Sequence, residues 1–192
     1  MFIDVDGRCD LAQFIPSPNC DPRPDATSPE LLVIHYISLP PDQFGGVGVV
    51  ELFQNRLDPL AHPFYAEIAH LCVSAHFFIR RDGELIQFVP TTERAWHAGQ
   101  SRWRDRERCN DFSIGIELEG SGNVPFTDAQ YQCLAALGIA LKQRHPTLRE
   151  LTGHEHIAPD RKQDPGPYFD WSRACAEGDW QVWPASVLVR AD

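Results

Sequence analysis

The sequence predicts the α+β class, a mixed β-sheet with helices packed on it, and three segments carry that prediction. Leu31–Ile37 (LLVIHYI) is an apolar, partly β-branched run of the kind that forms a buried strand. Phe112–Leu118 (FSIGIEL) alternates, with Phe112, Ile114, Ile116 and Leu118 on one face and Ser113, Gly115 and Glu117 on the other. Thr127–Arg144 sets Tyr131, Leu134, Leu137 and Leu141 at helical spacing. Thr127 serves as its N-cap, Asp128 favours its first turn and Pro146 ends it. Strands and helices do not alternate as regular βαβ units, so a central sheet flanked by helices is the expected architecture.

The remaining elements follow in chain order. Residues 15–30 are rich in proline and polar side chains and read as an irregular lead-in. After the first strand, SLPPDQFGGVG carries Pro-Pro and Gly-Gly pairs and reads as a loop. A short helix is expected around Phe64–Leu71. The stretch His76–Arg80, then Asp82-Gly83, then Leu85–Val89 reads as a hairpin, because Asp-Gly is a strong turn signal. Residues 98–111 are polar and read as a loop, TGHEHIAPDRKQDPGP as a turn-rich loop, and Phe169–Ala176 as a last short helix.

Length and composition narrow the function classes. The 192 residues suit one domain (1–192, core about 14–175) with a single hydrophobic core. A net charge of −10 argues against non-specific binding to nucleic acid or to anionic membrane, since both call for a basic face. No run of apolar residues approaches a membrane span. MFIDVDGRCD lacks a basic n-region and an apolar h-region, so a cytoplasmic location is expected. The six cysteines are scattered with no C-x-x-C pair and read as reduced thiols. Nothing points to an obligate protein partner. Of seventeen basic residues only Lys142 and Lys162 are lysine; Lys142 reads as a solvated helix residue, while Lys162 lies among chemically suggestive neighbours.

Those neighbours are His154 and Asp164, ten positions apart in a segment that Pro159, Pro165 and Pro167 stiffen. Imidazole and carboxylate both suit zinc, and a catalytic zinc site takes three protein ligands plus an open position. His35, inside an apolar strand run, is the candidate third ligand; His62, His70, His76, His97, His145 and His156 remain alternatives by spacing. His145, at a helix end, could complement the dipole there, and His62 and His70 flank a short helix. Glu117 projects from a central strand opposite its apolar neighbours, where a carboxylate must be paired, hydrated in a cleft or held neutral. Glu119 shares its face and is the rival.

At this point the chain resembles a known family. SLPPDQFGG, DPLAHPFYAEIAHL, VSAHFFIRRDGELIQFVP, RAWHAG, RERCNDFSIGIELEG, FTDAQY and TGHEHIAPDRKQDPGP are similar to the AmpD-type N-acetylmuramoyl-L-alanine amidases of the amidase-2 / peptidoglycan recognition protein superfamily. The likeness runs from about residue 14 to 173. It implies one zinc ion per chain in a groove above a mixed sheet, with His35, His154 and Asp164 as ligands. It implies Glu117 as general base, Lys162 as the cation near the reacting carbonyl and Arg108 as a contact to the substrate peptide. Trp96 and His97, in RAWHAG, match positions bordering the substrate groove. Tyr36 stands where many relatives have Asn, Cys72 where many have Arg, and Gly48 in a loop where relatives often carry an aromatic residue.

The function so implied is zinc-dependent hydrolysis of the amide between 1,6-anhydro-N-acetylmuramic acid and L-alanine in muropeptides, within cytoplasmic cell-wall recycling. The alternative from the same superfamily is a peptidoglycan-fragment binding module without catalysis. Loss of a zinc ligand is its usual mark, and all three candidate positions are filled here. A zinc hydrolase acting on intact wall outside the cytoplasm would need an export signal.

Overall fold

The computed structural model describes residues 1–24 and 27–188. Its first half contains β1 (Gln13–Phe14), β2 (Cys20–Pro22), β3 (Leu31–Ile37), α1 (Gly48–Phe53), α2 (Pro63–Ile68), β4 (Phe77–Ile79), β5 (Leu85–Gln87) and β6 (Glu93–Ala95). The second half adds β7 (Arg102–Trp103), β8 (Arg106–Glu107), a 3-10 turn at Cys109–Phe112, β9 (Ser113–Glu119) and α3 (Asp128–Arg144). It continues with β10 (Glu150–Gly153), α4 (His154–Ile157), α5 (Trp171–Ala174), β11 (Gln181–Val182) and a 3-10 turn at Ala185–Leu188.

One seven-stranded sheet, ordered β1-β5-β4-β9-β3-β10-β11, organises the molecule. Its centre is parallel: β4, β9, β3 and β10 run the same way, while β4 and β5 form the expected antiparallel hairpin. Gly83, at a φ of +90°, turns that hairpin, a conformation glycine adopts without steric cost. The mixed sheet with flanking helices is therefore the architecture that the three diagnostic segments predict.

The two faces of β9 explain why the sheet has helices on both sides. Ile114, Ile116 and Leu118 join Leu32, Ile34 and Phe77 beneath Tyr131, Leu134, Leu137 and Leu141 of α3. Truncating one such side chain to alanine costs about 2–5 kcal/mol, because transfer and cavity terms add. The N-terminus of α3 is fixed by a capping box: Gln130 N–H donates to the Thr127 hydroxyl, and Thr127 N–H donates to the Gln130 side chain. On the opposite face α1 and α2 pack Leu52, Phe53 and Tyr65 against Phe78, Ile86 and Phe88. Ser113, Gly115 and Glu117 point to that second side, as their alternation predicts; Phe112 does not follow it, because it ends the 3-10 turn before β9 and packs with Leu31 and Val33.

Several local expectations are corrected. The lead-in over 15–30 contains β2, which pairs antiparallel with β6; Asp25 and Ala26 lie outside the described residues. The polar stretch 98–111 holds the β7–β8 hairpin and the 3-10 turn. Within TGHEHIAPDRKQDPGP, Thr152 and Gly153 finish β10, and His154 opens the one-turn α4. Gly48 is the first residue of α1 and not a loop residue; a Cβ there would stand 2.6 Å from the Tyr65 hydroxyl and 2.9 Å from Leu39. Lys142 is not simply solvated: its ammonium donates to the Asp179 carbonyl at 2.8 Å and sits over the Trp180 ring. The C-terminal segment adds β11 beside β10, and residues 189–192 lie outside the described residues.

Candidate metal centre and cleft

Three adjacent parallel strands deliver the site at their carboxyl ends, the usual place for a ligand in a parallel sheet. In the β3–β9 register His35 lies directly beside Glu117, so both side chains rise from the same face. On the other flank Gly153 of β10 pairs with Ile34, which sets His154 next to His35 as the chain turns into α4. Asp164 arrives from the loop after α4 and is tied back to that helix, its carbonyl accepting from Glu155 N–H at 2.8 Å.

The result is a buried triangle of donor atoms. His35 Nδ1 and His154 Nδ1 are 2.9 Å apart, and each lies 3.0 Å from Asp164 Oδ2. Tetrahedral zinc with bonds of about 2.0–2.1 Å has ligand–ligand edges of about 3.3 Å, close to these separations. His154 Nε2 faces the Ala98 carbonyl at 3.1 Å and donates its proton there, which turns Nδ1 toward Asp164 as a donor atom for a metal. Burial, then the neighbouring His154, pushes His35 down to about 4, so His35 is neutral. Burial works to raise the Asp164 carboxyl, yet the adjacent His154 and His35 hold it well below the usual carboxylate range. Two imidazole Nδ1 atoms and a carboxylate oxygen converge, the kind of donor set a divalent cation takes. The residues fit zinc.

Glu117 stands at the edge of this triangle. It is buried, and its Oε2 has no hydrogen-bond partner among the described residues. Burial foremost, then the Asp164 charge, raises its pKa well above the ordinary glutamate value, while Lys162 opposes them. The exposed Lys162 shares with His35, Glu117, His154 and Asp164 a cleft of about 670 Å³. Glu119 is committed elsewhere. Its carboxylate accepts from Gly45 N–H at 2.6 Å and from Arg81 N–H at 3.0 Å, which anchors the loop between β3 and α1.

The structure separates the other candidates. His97 borders the cleft, with Nδ1 at 2.9 Å from His35 Nε2; burial, then His35, pushes its pKa well down. Trp96 is half-buried and donates from Nε1 to Asp21 at 3.1 Å, away from the cleft lining. Arg108 is exposed, reaches Asp111 at 3.3 Å and lines a neighbouring groove instead. Tyr36 lines the cleft beside Gly122 and Gly166, and Cys72 is exposed between two cleft residues, Leu71 and Val73. His62 caps α2, accepting from Phe64 N–H at 3.1 Å. His145 does not complement a helix dipole with charge: burial, then Arg144, brings it to about 4, and its Nε2 meets the Thr91 hydroxyl at 2.8 Å. Sequence reasoning did not single out the Ala98 carbonyl or Asn110, which contribute through hydrogen bonds that leave no mark in residue type or spacing.

Comparison with known proteins agrees with this geometry. The family model described as N-acetylmuramoyl-L-alanine amidase matches residues 25–167. The chain belongs to that family. It is 61% identical over 163 residues to the 1,6-anhydro-N-acetylmuramyl-L-alanine amidase AmpD of Escherichia coli K12, covering 84% of this chain and 89% of the relative. The AmpD of Haemophilus influenzae is 53% identical over 161 residues, covering 83% of this chain and 88% of the relative. A crystal structure of a selenomethionine AmpD derivative superposes with a TM-score of 0.90 at 57% identity, covering 92% of this chain and 98% of that one. AmiD of E. coli, solved in complex with anhydro-N-acetylmuramic acid-L-Ala-D-gamma-Glu-L-Lys, matches with a TM-score of 0.57 at 32% identity, over 83% of this chain and 62% of AmiD. The protein is thus an AmpD-type amidase, and His35, His154 and Asp164 form a cluster able to bind a metal ion.

Proposed function

We propose that this amidase hydrolyses the amide between 1,6-anhydro-N-acetylmuramic acid and the L-alanine of muropeptides, with one zinc ion held by His35, His154 and Asp164. The reaction belongs, on this reading, to peptidoglycan recycling in the cytoplasm. The substrates that name AmpD and AmiD support the choice of bond. No helix among the described residues is long and apolar enough to cross a membrane. The observation that carries the metal part is the His154–Ala98 hydrogen bond, because it leaves the Nδ1 lone pair facing the Asp164 carboxylate, an arrangement that a cation between them stabilises.

An amide resists hydrolysis because resonance stabilises it and its amine is a poor leaving group. Held by His35, His154 and Asp164, a zinc ion would supply Lewis acidity, making water a nucleophile near neutral pH and polarising the carbonyl. Glu117 takes the proton of the attacking water and later delivers it to the leaving L-alanine nitrogen. Its position at the end of β9 beside His35 suits both halves, and such acid–base help contributes about 10²–10⁴-fold. Lys162 places positive charge where the carbonyl oxygen becomes negative. Arg108 meets a carboxylate of the peptide through a charge-assisted contact, exchanging Asp111 for the substrate.

The test is mass spectrometry of anhydro-muramyl-tripeptide after incubation with zinc-loaded protein. Free tripeptide and anhydro-N-acetylmuramic acid are the expected products. Intact substrate, with zinc verified in the protein, overturns the proposal.

A further inference from the structure

Both imidazoles of the triangle are held from behind by two consecutive residues. His35 Nε2 lies 2.9 Å from His97 Nδ1, and His154 Nε2 lies 3.1 Å from the Ala98 carbonyl oxygen. With both Nδ1 atoms turned toward the metal position, both Nε2 atoms carry protons. His35 therefore donates to His97 Nδ1, and His97 in turn uses its Nε2–H to reach the Ser113 hydroxyl at 3.0 Å. One proton arrangement satisfies the whole chain.

The His97–Ala98 dipeptide is itself fixed by a single atom. Asn110 Oδ1 accepts from His97 N–H at 3.2 Å and from Ala98 N–H at 2.8 Å. A second restraint comes from Arg161, whose Nη2 donates to the Ala98 carbonyl at 3.1 Å. Room for the His97 ring is made by Gly115, where a Cβ would stand 2.4 Å from His97 Cγ. This gives Gly115 on β9 a reason: any side chain there would displace the ring that supports His35.

We infer that Asn110, acting through His97 and the Ala98 carbonyl, is a positioning residue for the metal ligands. Asn110 lies outside the cleft lining and touches neither ligand side chain. It indexes the dipeptide, and the dipeptide sets the tautomer and aim of both imidazoles together. This differs from the groove-bordering role that the family resemblance implies for His97. The inference rests on the zinc reading above, and it concerns affinity for the ion as much as turnover, because outer partners of this kind are typically worth about 10–100-fold in metal binding.

The experiment measures zinc dissociation constants by competition with a chromophoric chelator, together with the visible spectrum of the Co²⁺-substituted protein. Asn110→Ala and His97→Leu are expected to weaken zinc binding about 10–100-fold and to shift the cobalt bands. Asn110→Asp keeps an oxygen acceptor at the same place, and His97→Asn keeps an acceptor near the Nδ1 position; both are expected to restore most of the affinity and the wild-type bands. Unchanged affinity and spectrum in Asn110→Ala overturn the inference while leaving the zinc reading intact. A wild-type protein that binds no zinc overturns both. Should His97→Leu fail to fold, Ser113→Ala decides that arm: a loss of zinc affinity supports the chain of hydrogen bonds, and an unchanged constant removes it.

Discussion

Two depressions lie side by side on this molecule, and the candidate metal ligands line only one of them. The groove of about 880 Å³ is lined by Arg102, Arg104, Arg108 and Arg161, yet each of these already has a partner. Arg104 pairs with Glu150 at 2.8 Å, Arg108 with Asp111 at 3.3 Å and Arg102 with Asp105 at 3.7 Å, while Arg161 serves the Ala98 carbonyl. The cleft of about 670 Å³ holds one cation, a buried carboxylate oxygen without a partner among the described residues, and three donor atoms facing each other. Leaving a buried polar atom unsatisfied costs about 1–3 kcal/mol. Gln54 Oε1 and Trp103 Nε1 are also without a partner among the described residues, but only at Glu117 does such an atom stand beside converging imidazole and carboxylate donors. Unmet electrostatic demand locates the site better than volume does.

The largest test of that contrast is Glu117→Gln, which keeps the shape of the side chain and removes its basicity. Turnover is expected to fall about 10²–10⁴-fold with zinc content unchanged, measured by steady-state kinetics and metal analysis. Near-wild-type kcat would remove Glu117 as the base. Next comes Lys162→Met, expected to lower kcat about 10²-fold by deleting charge at the developing oxyanion; an unchanged kcat would refute that contact.

Arg108 lies in the larger groove and sharpens the boundary between the two. If it reaches the peptide, Arg108→Ala raises KM about tenfold, the size of one charge-assisted contact, and leaves kcat nearly unchanged. A fall in kcat alone would contradict that role. The smallest effect is expected for Arg104→Ala in the same groove. The pair with Glu150 is solvent-facing on the arginine side, so stability should drop by only about 0.2–1 kcal/mol in a urea titration, with kcat/KM unaffected. A large kinetic defect there would break the comparison.

How much of this was legible in the sequence follows from how each feature is encoded. β3, β9 and α3 are long enough for periodicity to reveal them, and polar residues interrupting the apolar strands mark His35 and Glu117. The two- and three-residue strands β1, β2, β6, β7, β8 and β11 have no period to detect, because their pairing is decided by neighbours distant in sequence. α4 is a single turn beside glycine and proline, so local composition hides it. His154 and Asp164 stand out as residue types, while the Ala98 carbonyl is a backbone atom and Asn110 is an ordinary asparagine until its two N–H partners are known. Glu117 and Glu119 are equivalent by alternation; only the loop that folds back onto Glu119 tells them apart.

That same Glu119 contact governs how the cleft receives its ligand. One carboxylate grips the backbone of Gly45 in the loop after β3 and of Arg81 in the turn after β4. The loop it holds contributes Leu39, Pro41 and Asp42 to the cleft wall. A wall fastened in advance loses little freedom when a guest arrives, so the entropy lost on binding falls mainly on the guest. Short, stiff ligands should therefore gain more from this surface than long, flexible ones of the same contact chemistry.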